Sequence, residues 1–172
     1  LTRKQYSEAS RKGNIVQVEI DTMNFMRGNI LVDADKIGKE VNEYTYEVKE
    51  MLDAARTRER RNAFIDAIKY FNGGAKQSRN MEDISPKIVV AIMQKTGNPF
   101  LLNTISVDSF GKVITAPIIQ ALKDNKDIIE SACLGMTEGI FSKEEDIKAE
   151  FEKAGFKTTT VYQALDSLKE GI

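Results

Sequence analysis

Histidine is absent from the 172 residues, and that absence removes more chemistry than any other feature of the chain. Ser-His and Cys-His nucleophile pairs, HExxH zinc sites and imidazole proton shuttles all need a ring that is not there. Cysteine is nearly as scarce. Cys133 stands alone in IIESACLG, so neither an internal disulfide nor a Cys/His zinc site is available. Such a residue is expected to be buried as a small hydrophobe, in a protein of the reducing cytoplasm. Long apolar runs are missing too: no window approaches the roughly 18 uncharged residues of a membrane span, and the amino end does not read as a signal peptide. Neither GxxxxGK[ST] nor GxGxxG occurs, which argues against a P-loop. Repeats, heptads and low-complexity tracts are absent as well.

What is present is an ordinary globular balance, 41% hydrophobic and 30% charged. The length suits one domain over 1–172, with 39–57 as a charged connector or insertion. The chain starts at Leu1 without an initiator methionine, so a fragment or processed product of a longer protein is expected. Net charge is −1, but it is unevenly spread. Between Arg56 and Arg79, seven basic residues stand against Glu59 and Asp66; between Lys123 and Lys153, nine acidic residues outnumber five basic ones. A chain polarised in this way can hold an anion on one side while staying acidic overall.

The patterning predicts a mixed α+β chain. IVQVEI and NILV (15–20 and 29–32) read as a strand pair, followed by a turn at DADKIG. Arg58 to Asn72 reads as a helix whose stripe is Ala63, Phe64, Ala67, Ile68 and Phe71, with Asn62, Asp66 and Lys69 facing elsewhere and Gly73 ending it. IVVAIM (88–93) is a buried strand, Leu101–Val107 another, and Ile128–Phe141 a third. A helix is expected over Ile114–Lys123, opened by Thr115 with Pro117 in its first turn. Ser142-Lys-Glu-Glu145 fits a capping box for a helix buried through Ile147, Phe151 and Ala154 and ended by Gly155. A last helix carries Val161, Leu165 and Leu168. With Ile15–Ile20 as first strand, this order is the βαββαβ of a ferredoxin-like, RRM-like antiparallel sheet with insertions. The sheet is otherwise expected to lack its amino-terminal strand.

The candidate sites are few. FNGGAKQSRNMEDISPK (71–87) follows a helix, so the negative carbonyl end of that helix points at the loop, the wrong polarity for a phosphate cradle. Gly73 and Gly74 either close the helix or let a sugar–phosphate backbone approach the main chain. Lys76, Gln77, Ser78, Arg79 and Asn80 then offer donors suited to phosphate, ribose and base edges. Arg58 and Arg61 would extend the same positive surface, or form a solvated helix face. Asp21, Asp33 and Asp35 are the best carboxylate cluster for a hard metal or a nuclease; they read more simply as a turn with local backbone bonds.

GGAKQSRNMEDISPKIVVAI, entered from a helix and followed by GNPFLLNTI, resembles the DevR-type autoregulator family, the repeated backbone subunits of type I CRISPR surveillance (Cascade) complexes. GNILVDADKIG is similar to the corresponding segment of that family. The match covers about residues 15–107. The resemblance implies an RRM-like core and copies assembled side by side along a CRISPR RNA beside other Cascade subunits. It implies no catalysis and no cofactor or metal, with Gly73 to Arg79 against the guide backbone. Members of the family are longer and begin with a core strand that this chain does not show. The rival expectation is a ferredoxin-like interaction or regulatory domain without nucleic-acid binding. In that case Arg58, Arg61, Lys76 and Arg79 should be scattered or paired to carboxylates.

Overall fold

The computed structural model describes residues 25–72 and 83–170, with two short strands at 2–4 and 15–17. The chain divides into two compact units, Leu1–Met26 with Asn72–Ile84, and Arg27–Phe71 with Ser85–Ile172. In the first unit, β1 (Thr2–Lys4) pairs antiparallel with β2 (Ile15–Gln17). The expected partner of β2, Asn29–Val32, is not a strand; its residues are exposed and unladdered. The expected turn at DADKIG is present as a single 3-10 turn, Ala34–Lys36.

The second unit opens with a surface hairpin. β3 (Lys39–Val41) and β4 (Val48–Glu50) pair antiparallel, and all six residues are exposed. Asn42 turns the chain by accepting the N–H groups of Tyr44 and Thr45 on its side-chain oxygen, an Asx arrangement. The segment 39–57 thus holds a hairpin and the start of the next helix, α1 (Ala54–Lys69).

Three strands form the central sheet in the order β5-β6-β7: β5 (Ile88–Gln94), β6 (Ile129–Met136) and β7 (Lys157–Thr159). β5 and β6 are antiparallel, whereas β6 and β7 are parallel, joined through a helix. The sheet is therefore mixed where an antiparallel one was expected, since a parallel pair needs a crossover and the Glu144–Lys153 helix supplies it. Leu101–Val107 does not become a strand either. Pro99 and Leu101 carbonyls accept from Leu102 and Thr104 in tight turns, and Asn103 takes a φ of 66°. The Arg27 guanidinium donates to the carbonyls of Asn103 and Ile105 and to the Asn103 side chain, at 3.5, 3.1 and 3.0 Å. Only a single bridge, Val107 to Val113, remains of ladder pairing there.

Strand alternation sorts the core into two faces. Ile88, Val90, Ile92, Leu134 and Met136 meet α2 (Ala116–Asp124) through Ile118 and Leu122, and α3 (Glu144–Lys153) through Ile147 and Phe151. Val89, Ala91 and Cys133 face the other way, onto α4 (Val161–Glu170), which packs against α1 through Val161, Leu165 and Ile65. Helices thus cover both faces of the sheet. Cys133 is buried as expected, and burial pushes its thiol pKa up. α4 lies tight against Gly135: a Cβ there would lie 2.7 Å from the Ala164 Cβ and 2.8 Å from the Val161 Cα.

Two helix starts differ from their sequence signals. Thr115 sits at the start of α2, but its hydroxyl donates to Glu150 on α3 instead of capping. Before α3, Lys143 adopts a left-handed φ of 57° and makes no side-chain cap. That conformation delays the helix by one residue and undoes the capping box. Ser142 donates to the Phe110 carbonyl instead. Glu144, not Glu145, accepts the N–H groups of Gly139, Ile140 and Phe141 at 3.1, 2.9 and 2.9 Å. These bonds hold its carboxyl below its usual pKa. The far end behaves as predicted, with Gly155 at a φ of 88° just past α3.

Candidate functional site

α1 carries the described part of the basic segment, and its phase decides which cations are available. Asp53 starts the helix by accepting the Arg56 N–H at 2.8 Å, four residues earlier than the apolar pattern suggests. The helix ends at Lys69 with Tyr70 as its cap. The expected closing residue, Gly73, lies outside the described residues. The residues expected on the buried stripe point out: Ala63, Phe64, Ala67 and Phe71 are exposed, and only Ile68 packs inward. The buried positions are Arg61, Ile65 and Lys69, spaced four apart.

The inward cations belong to the fold. The Lys69 ammonium donates to Asp166 on α4 at 2.7 Å, and Lys169 donates to Asp66 at 2.5 Å and pairs with Asp166 at 3.1 Å. Lys69 also lies 5.0 Å from the Tyr162 ring centre and 5.6 Å from that of Tyr70, and the two rings meet edge to face. The hydrogen bond from Lys69 holds the Asp166 carboxyl below its ordinary pKa. Bonding to Asp166 and Asp66 raises the Lys69 and Lys169 ammonium pKa values. A lysine can enter a helix interface in this way because its methylenes pack while its head is paired. Arg61 lies on the same inward side, 8% exposed. It does not extend a positive surface.

The outward cations are different. Arg56, Arg58 and Arg60 are exposed, and none of them makes an ion pair among the described residues. Arg56 and Arg60, one helical turn apart, line a shallow open groove of about 310 Å³ with Leu52, Glu59 and Ala63. Arg58 and Arg61 are the arginines expected on the positive surface; Arg56 and Arg60 belong to the same basic segment, and their i, i+4 spacing within RTRERR is the signal that puts them on one face. Gly73, Gly74, Lys76, Gln77, Ser78, Arg79 and Asn80 lie outside the described residues.

The aspartate cluster is not assembled among the described residues. Asp33 pairs with Lys36 at 3.1 Å and makes no capping bond, so the expected local backbone bonds from its side chain are not made. Asp35 is exposed within the turn, and Asp21 lies outside the described residues. No group of three metal-binding side chains converges among the described residues.

The chain finds no counterpart among family models, curated proteins or solved structures. No helix among the described residues is long and apolar enough to cross a membrane. What the geometry offers is three unpaired arginines, Arg56, Arg58 and Arg60, and the exposed ring of Phe64 on one helix, which leads in sequence toward the GGAKQSRN segment.

Proposed function

We propose that the chain is a non-catalytic RNA-binding subunit of a type I CRISPR interference complex. In this reading copies stand side by side along the guide RNA in the cytoplasm, next to other subunits of the complex. The proposal assigns no catalytic residue, cofactor or metal. The observation that carries it is the donor-rich segment 73–80, entered from a helix whose outward arginines are unpaired. Phosphate contacts of this kind give affinity without reading sequence, which suits a subunit that must hold any guide and leave its bases free to pair.

The ferredoxin-like core that the family resemblance implies is part of the same proposal. The antiparallel β5–β6 pair is compatible with it; the parallel β6–β7 pair and the helices on both faces depart from it. An RRM-like domain usually offers RNA an open sheet face bearing aromatics. Here both faces are covered, so the proposed grip is put on the loop and the helix instead.

The test is a titration with fluorescent single-stranded RNA of guide length, followed by anisotropy at about 50 and 200 mM salt. Wild-type protein should bind, weaken steeply with salt, and lose binding in Lys76→Glu/Arg79→Glu without a change in melting temperature. Unchanged binding in that variant refutes the grip at 73–80. No binding by the wild type at either salt favours the second reading, an interaction domain without nucleic acid. The burial of Arg61 is the observation on that side.

A further inference from the structure

The outward face of α1 is a helical surface that the core of the second unit does not use. Arg56, Arg60, Ala63, Phe64 and Ala67 fall within about 100° of one another at 3.6 residues per turn, and Phe71 follows just past the helix end. Phe64 is 40% exposed and Phe71 55%. Alanines between them keep the face flat. The charge end and the aromatic end are thus separate: cations in the first half of the helix, rings toward its end.

We propose that this face is a track for single-stranded nucleic acid, with Arg56 and Arg60 on neighbouring phosphates and Phe64 receiving a base on its ring. The inference rests on the RNA-binding reading above and adds a second surface to it. Three observations select this occupant. The two arginines are unpaired, so an anion meets no internal competitor except Glu59, which lines the same groove. Four residues of helix separate them by about 6 Å along the axis, a spacing that successive phosphates of an extended strand can match. An arginine ridge beside exposed phenyl rings is also the combination that grips single strands through backbone charge and base stacking. An apolar protein partner would match the rings but leave the two cations unanswered.

The test uses the full chain with two probes, a fluorescent uridine homopolymer and inorganic polyphosphate, each titrated across salt. For RNA, Arg56→Ala/Arg60→Ala should lower the slope of log affinity against log salt by about 1.4, or about 0.7 for each phosphate released from contact. Phe64→Ala should leave that slope alone and weaken RNA binding by about 5- to 150-fold, the effect of one lost base stack. Polyphosphate carries no base, so Phe64→Ala should not change its binding. All three side chains are exposed, and each variant should melt with the wild type. RNA binding and slope unchanged in both variants would overturn the track while leaving the 73–80 grip standing. Wild-type protein that binds polyphosphate but not RNA would overturn the RNA reading and the track with it. If Phe64→Ala abolished self-association while RNA affinity stayed the same, the occupant would be a second copy of the chain, and the proposal would fall.

Discussion

The two sides of α1 carry the same residue types to opposite ends. Inward, Arg61 and Lys69 flank Ile65, and the Lys69 charge is tied to Asp166 on α4. Outward, Arg56 and Arg60 flank a surface of alanine and phenylalanine and are tied to nothing within the described residues. A charged side chain in a helix therefore says little about function until its partner is known. A paired, packed lysine is part of the fold, and an unpaired arginine beside an exposed ring is available to a ligand.

Stability should therefore respond to the inner face and binding to the outer one. The largest effect is expected for Ile65→Ala, which removes a buried side chain from the α1–α4 contact and should cost about 2–4 kcal/mol in urea unfolding. Its neighbour Phe64→Ala should stay within about 0.5 kcal/mol. Equal costs at 64 and 65 would mean that the helix is rotated from the phase described.

Next comes Gly135→Ala, aimed at the seat of α4 on the sheet. The added methyl meets the Ala164 Cβ, the Val161 Cα and the Thr160 carbonyl within 2.9 Å. With no flexible side-chain end to yield, the cost should be about 1–3 kcal/mol. Ala164→Gly in the same chain should recover part of it, because one of the three close atoms is then gone. No recovery would place the strain elsewhere.

A smaller, pH-dependent effect should come from the Asp166 pair. Its folded-state pKa is depressed below the ordinary 3.8 by Lys69. The stabilisation it brings is thus fully present above that value and is lost as pH falls through the lower folded value. Lys69 and Lys169 are raised above 10.5, so their share is present below that pH and fades only as pH rises through the raised values. Asp166→Asn should flatten the acid limb of a melting-temperature profile below about pH 4 and leave neutral-pH RNA binding intact. Glu144, also depressed, contributes in the same acid window; a residual slope in the variant is expected from it. The smallest effect on stability is expected for Arg56→Ala/Arg60→Ala, within about 0.5 kcal/mol.

Much of the fold was legible because its signals are local. IVVAIM is β-branched and short, the Ile147–Phe151 spacing is one helical turn, and Gly155 has the residue type that a left-handed helix end demands. The phase of α1 was not legible for a physical reason. Ala63, Phe64, Ala67 and Phe71 form a respectable apolar stripe, and the true inner stripe is disguised by Arg61 and Lys69. What draws Lys69 inward is Asp166, 97 residues away, which no local pattern reports. The lost strand at Leu101–Val107 has the same origin, since its carbonyls are held in turns partly by Arg27, 76 and 78 residues earlier. The capping box failed by one residue, on the left-handed conformation of Lys143. As for the site, sequence located the basic region but chose Arg58 and Arg61 from it. Among the described residues Arg58 is exposed and unpaired, as are Arg56 and Arg60, whereas Arg61 is buried on the side where α4 packs.

The most direct test of the account is photocrosslinking of guide-length RNA carrying 4-thiouridine to the full chain, with the crosslinked residues mapped by mass spectrometry. Crosslinks are expected at Phe64, Phe71 and within 73–80, and none on the inner face of α1. Crosslinks confined to the 39–50 hairpin or to α3, or none at all under conditions where the RNA is bound, would contradict it.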